Sequence, residues 1–156
     1  MRRHHLPLVA PTVLAIAGTA FAAGHADVPA EIKARQGLMN ILALNLGTVG
    51  NMARGNTDYD AEAAQIAADS LVAVTAIPQS PFWTPGTSTA DTDQTRALPA
   101  IWEDNAGFGE KFMAFAEAAS GLQAVAGDGL EPLQGAVQTL GRTCGGCHDD
   151  YRQPSE

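Results

Sequence analysis

The chain has 156 residues, with 17 acidic against 9 basic side chains and a formal net charge of −8. That balance excludes nucleic acid and anionic lipid as natural partners. One domain's length, an aromatic share of 6% and an Ala-rich composition exclude a strand-dominated architecture and favour an all-α one.

Residues 1–26 have the layout of a cleaved secretory signal. Met1-Arg2-Arg3-His4-His5 is a positive n-region, and Leu6 to Ala23 is an apolar run broken by Pro7 and Pro11. Ala20-Phe21-Ala22 and Gly24-His25-Ala26 are small-residue cleavage sites, which put the cut between about 22 and 26. The run is short for a membrane span, so no stable anchor is expected after cleavage; an uncleaved N-terminal anchor is the alternative. Residues 27–156 are then one exported domain.

A first helix is predicted from about Pro29 to Arg54. Ile32, Arg35, Met39, Leu42, Leu46, Val49 and Ala53 recur at steps of three and four, the spacing of a bundle seam. Arg35 interrupts that apolar stripe. A buried guanidinium calls for an anionic partner, whereas one at a frayed helix start snorkels to water. Met39 follows one turn later on the same face. Gly55-Asn56-Thr57 ends the helix, and Asp58 or Asp60 caps a second from about Asp60 to Ala76. Its apolar set reads as Tyr59, Ala63, Ile66, Ala73 and Ile77. Pro78 stops it.

Residues 77–98 form a long connection rich in Pro, Ser, Thr, Gly and Asp, of a length that usually covers something. Phe82 and Trp83 within it need an apolar surface. A third helix is predicted from about Pro99 or Ile101 to Val125, carrying Ile101, Phe108, Phe112, Phe115, Ala119 and Leu122 on one stripe. Ala126-Gly127-Asp128-Gly129 is a turn. A fourth helix begins near Gly129, tolerates Pro132 in its first turn, and runs its stripe through Leu133, Val137, Leu140, Cys144, Cys147 and Tyr151.

The last stripe contains the most specific motif in the chain, Cys144-Gly145-Gly146-Cys147-His148. Two thiols three residues apart with His next are the parts that attach a c-type haem: each thiol adds to a vinyl group, and the imidazole ligates the iron. Three other readings are weaker. A disulfide across Gly145-Gly146 closes too small a ring to stabilise a large fold. A thioredoxin-like pair belongs to a βαβ setting, and no strand precedes this one. A zinc site needs four ligands, and no further cysteine exists. With haem present, Arg35 is assigned to a propionate rather than to solvent. Met39 then comes near the haem centre, as a sixth iron ligand or as a bulky cover. Arg152, one turn after His148, overhangs the proximal side or complements the helix C-terminus. Haem attachment of this kind in bacteria occurs outside the cytoplasmic membrane, so the periplasm is the expected location.

Four helices ending in this motif resemble the class II c-type cytochromes, the cytochrome c′ family and its low-spin relatives. The resemblance is carried by Arg35-Gln36 followed by Met39, by Leu98-Pro99-Ala100-Ile101-Trp102, and by Cys144 to Arg152. It implies an antiparallel four-helix bundle, often dimeric through its first two helices, with one covalent haem c. Cys144 and Cys147 would hold the haem, His148 would be the proximal ligand, and Arg35 and Gln36 would meet the propionates. Thr95 or Arg96 would also touch the haem, Met39 would occupy the distal position, and Arg152 would be the proximal arginine. Two functions stay open on this basis. One is a five-coordinate iron that binds nitric oxide and carbon monoxide. The other is a six-coordinate His/Met electron carrier with an unknown redox partner. A haem enzyme for nitric oxide reduction or peroxide is the weakest reading, because no histidine stands beside Met39 as a distal acid/base. Periodicity leaves Val49, Met52 and Ile66 on either the core or a dimer face.

Overall fold

The computed structural model describes residues 28–154, so the expected cleavage region lies outside the described residues. Four long helices make the bundle: α1 (Ala30–Ala53), α2 (Ala61–Thr75), α4 (Asn105–Gln123) and α5 (Leu130–Tyr151). A single turn, α3 (Ala100–Glu103), precedes α4, and a 3₁₀ turn covers Ser80–Phe82. α1 packs on α2 and α5, and α4 packs on the same two, which closes the antiparallel ring.

The helix boundaries follow local chemistry. The Asp60 side chain accepts the Ala63 N–H at 2.9 Å and starts α2. Gly129, at φ +132°, supplies the backbone turn from which α5 leaves, a conformation that needs glycine. The predicted third helix is two. Asp104, at φ −123° and ψ 59°, breaks it, and its carboxylate caps α4 through Gly107 N–H at 3.0 Å. Ile101 and Phe108, seven apart, keep their register across the break, which is why periodicity runs through it.

The α2 face also differs from expectation. Ala64, Ala67, Ala68, Leu71 and Val74 are buried, while Ile66 is 59% exposed and Ile77 37%. A helix this rich in Ala presents two plausible stripes. The small one wins because it lets α1 and α4 approach closely. Val49 and Met52 belong to the core, and Ile66 does not.

Buried side chains form two clusters. The larger fills the bundle with Val49, Leu71, Phe115, Leu122, Leu133 and Leu140 among others. At that end Tyr59 Oη donates to Ala126 O (2.8 Å) and accepts from Gly129 N–H (3.0 Å), tying the entry of α2 to the α4–α5 turn. The smaller cluster joins Ala97, Ile101 and Tyr151, with Trp83, Trp102 and Phe108 against them.

Candidate functional site

A cavity of about 510 Å³ opens where the stripe of α1 loses its facing partner, within the range of ~300–1,000 Å³ usual for cofactor sites. α1 lines it with Arg35, Gln36, Met39, Asn40, Leu42 and Leu46, and α4 with Phe108, Lys111, Phe112 and Phe115. α5 contributes Cys144, Cys147, His148, Tyr151 and Arg152, and the connection contributes Trp83 and Arg96. The helical period thus brings both thiols and the following imidazole to one wall. Thr95 is not on the wall; its hydroxyl lies behind, accepting from Arg35 (2.8 Å) and from Ala97 N–H (3.1 Å).

Both cysteines are free thiols. Burial pushes both up from the ordinary thiol pKa, and Lys111 opposes this at Cys147. Burial first, then the charges of Arg152 and Arg96, pull His148 below the usual imidazole value, against Asp149. That shift favours the neutral imidazole, the form that binds iron. Among the described residues no group of three or more His, Cys, Asp or Glu is placed to hold a metal by itself.

Arg35, 3% exposed, has neutral protein partners. Nη1 donates to Phe82 O (3.2 Å) and Thr87 Oγ1 (2.8 Å); Nη2 donates to Thr87 O and Thr95 Oγ1 (2.8 Å). The guanidinium also lies 5.0 Å from the Trp83 ring centroid and 5.9 Å from that of Trp102. Burial lowers its pKa, partly countered by Glu31. Arg35 thereby staples the 77–98 connection to α1. Gln36 helps through Nε2 to Gln94 O at 2.9 Å. The Arg35 Nε–H and one Gln36 amide N–H are left over, and the Trp83 indole N–H is buried without a partner among the described residues. Unspent donors at one corner of an apolar cavity fit the carboxylates of a haem, as the thiols and neutral imidazole fit its vinyls and iron.

The proximal end is fastened separately. Leu98 N–H donates to Tyr151 O (3.0 Å), Gln153 N–H to Arg96 O (2.8 Å), and Arg96 Nε to Gln153 O (2.9 Å), around a bridge between Ala97 and Arg152. Tyr151 Oη donates to Asp104 Oδ2 at 2.7 Å, and its ring meets Phe108 edge-on at 5.4 Å. That hydrogen bond, helped by burial, pushes Tyr151 up to about 12; the same bond, with the Gly107 N–H, holds Asp104 below the usual carboxylate range against the opposing effect of burial. Lys111 crosses from α4 to Gly146 O (3.1 Å) and Asp150 (2.8 Å), bracing the thiol-bearing turn.

Sequence reasoning passed over Asn40, Lys111 and Asp104. Asn40 was within reach of it, four residues after Gln36 on one face. Lys111 was hidden because its partners are on another helix. Asp104 carried a capping signal that the unbroken apolar period masked.

The cytochrome C′ family model matches residues 30–152. The chain belongs to the cytochrome c′ family. Among its relatives, cytochrome c-554 of Cereibacter sphaeroides is 39% identical over 148 residues, 95% of this chain and 97% of that one. The structure of cytochrome c′ from Rhodobacter sphaeroides is 42% identical, with TM-score 0.80, covering 83% of this chain and all of that one. A nitric oxide complex of a cytochrome c′ variant from Alcaligenes xylosoxidans is 31% identical, with TM-score 0.69, covering 80% and 94%. This cytochrome carries one covalently attached haem c near its C-terminus and is an electron-transfer protein. None of its described helices is long and apolar enough to cross a membrane.

Proposed function

We propose that this cytochrome c′ is cut after its secretory signal and works in the periplasm, with a five-coordinate haem iron that takes nitric oxide or carbon monoxide as well as electrons. Cys144 and Cys147 hold the haem as thioethers, and His148 is the proximal iron ligand. Arg35, Gln36 and the Trp83 N–H face the propionates, while Arg96 and Arg152 lie on the proximal side. Met39 covers the distal face.

The observation that carries this reading is the wall around Met39. It is apolar, with Leu42, Leu46, Phe112 and Phe115 lining the same cavity as His148. Such a wall keeps water off the sixth position and offers no acid/base for breaking an O–O bond, so the protein is a carrier and gas binder rather than an enzyme. The nitric oxide complex of the Alcaligenes relative supports the ligand class. Ile41, Leu44 and Ile66 are exposed on α1 and α2, the two helices through which a homodimer would form. A second reading rests on Met39 lining the same cavity as His148: Met39 ligates the iron, and the protein only carries electrons.

The ferric optical and paramagnetic resonance spectra at neutral pH, followed by carbon monoxide added to the ferrous protein, separate the two. A high-spin ferric signal with ready carbon monoxide binding is expected. A low-spin signal with a methionine–iron charge-transfer band, lost in Met39→Ala and indifferent to carbon monoxide, overturns the gas-binding reading.

A further inference from the structure

We infer that Tyr151 is a redox-active tyrosine, which gives one electron to the haem of this cavity after an oxidant has taken one, while its phenolic proton passes to Asp104. The inference rests on Cys144, Cys147 and His148 seating the haem in this cavity, and it is independent of whether the sixth position is open.

Tyr151 is 6% exposed and lines the cavity from α5, one turn past His148. Its Oη donates to Asp104 Oδ2 at 2.7 Å, within the reach a proton acceptor needs. Asp104 is held for that contact: its Oδ1 accepts the Gly107 N–H at 3.0 Å, which leaves Oδ2 to the phenol. Gly107 makes the meeting possible, since a Cβ there would stand 2.2 Å from Oδ2 and 2.7 Å from the phenolic oxygen. The chain has two tyrosines and two tryptophans, and the other three rings are worse placed to be oxidised. Tyr59 donates to the Ala126 carbonyl at 2.8 Å, which cannot keep a proton. Trp83 and Trp102 lie 5.0 and 5.9 Å from the buried Arg35 guanidinium. A ring that has lost an electron is repelled by such a cation, the more so where the dielectric is low. The Trp102 N–H, like Tyr59, meets only a carbonyl, Trp83 O at 2.9 Å.

The step exchanges one electron and one proton. A one-electron oxidant of high potential removes an electron from the ferric haem. One electron then leaves the Tyr151 ring and restores the ferric state. The phenolic O–H bond breaks, and an O–H bond forms on Asp104 Oδ2. The products are a neutral phenoxyl radical and a neutral carboxylic acid, so no unpaired charge is left on the buried ring. Asp104 is exposed, and its proton exchanges with water. A second electron, with a proton from Asp104 or water, returns the phenol. The oxidising equivalent is thereby kept from Met39, whose thioether lines the same cavity and is open to oxidation.

The test uses the ferric holoprotein with photogenerated ruthenium(III) tris-bipyridine as the oxidant, comparing the parent with Tyr151→Phe, Tyr59→Phe and Asp104→Asn. Asparagine caps a helix as well as aspartate does and its amide oxygen still accepts the phenolic hydrogen bond, but it is no base. Transient absorbance and freeze-quench paramagnetic resonance read the phenoxyl radical, and circular dichroism checks that each variant is folded. The radical is expected in the parent and in Tyr59→Phe and is absent from Tyr151→Phe. In Asp104→Asn it forms about 10²-fold more slowly, the lower end of what a positioned base contributes. No phenoxyl signal in the parent, or the same signal in Tyr151→Phe, overturns the inference. An unchanged rate in Asp104→Asn overturns the transfer of the proton to Asp104. Haem that acid acetone extracts from the parent overturns its attachment through Cys144 and Cys147, and the role of Tyr151 falls with that reading.

Discussion

Replacing Arg35 with Ala removes the staple between α1 and the 77–98 connection. Four N–H donors disappear, leaving Phe82 O, Thr87 O and the Thr87 and Thr95 hydroxyls without them. A buried acceptor left unpaired costs ~1–3 kcal/mol, and each lost cation–π contact adds ~0.5–2 kcal/mol. Water entering the vacated space recovers part, because Phe82 O is only partly buried. The net cost is about 3–5 kcal/mol, the size found when one partner of a buried charged network is removed. For a domain of this size that is a fall in Tm of roughly 10–20 °C. The assay is far-ultraviolet circular dichroism melting of the holoprotein, with limited proteolysis as a probe of residues 77–98. Arg35→Lys keeps the charge but not the planar fork, and it falls between. A melt of Arg35→Ala within about 0.5 kcal/mol of the parent, with unchanged proteolysis, would refute the staple.

Tyr151 is expected to ionise near 12 rather than its ordinary 10 when phenolate absorbance is followed during alkaline titration, and Tyr151→Phe to remove that late step. Because the folded value is the raised one, the stabilisation is whole below about pH 10 and is lost as pH climbs to 12. Asp104 is the mirror case: its depressed pKa gives stability above the ordinary carboxylate value, lost as pH falls through the folded one. In Gly107→Ala the new Cβ would stand 2.2 Å from Asp104 Oδ2 and 2.7 Å from Tyr151 Oη, so that hydrogen bond must open. The same titration then shows Tyr151 back toward 10, and a titration identical to the parent's counts against the contact. Leu140→Ala, fully buried on the thiol-bearing helix, lowers stability by about 2–5 kcal/mol in chemical denaturation; a loss under ~1 kcal/mol means that the site collapses freely.

The bundle was legible because α1, α4 and α5 each bury one clear stripe of large residues, and the thiol–imidazole motif announces its own chemistry. α2 was not, since Ala64, Ala67 and Ala68 carry too little hydrophobic signal to outvote Ile66 and Ile77. The order of the 77–98 connection was out of reach for a different reason. Its hydroxyls and carbonyls are fixed by Arg35, about fifty positions away in sequence, and no local pattern encodes that pairing. Trp83 was seen to need an apolar surface, which Phe108 supplies at 4.8 Å; its stranded N–H is visible only in three dimensions.

The two separate buried clusters give the molecule two stabilities. Local opening follows the density of buried apolar contacts, so amide exchange is slowest around Leu71, Leu122 and Leu133 and faster around Ala97, Ile101 and Tyr151. The smaller unit is the one stitched to the haem-bearing end of α5. Local opening is therefore expected first at the end of α5 that carries the thiols and the imidazole, while the far half of the bundle stays shut.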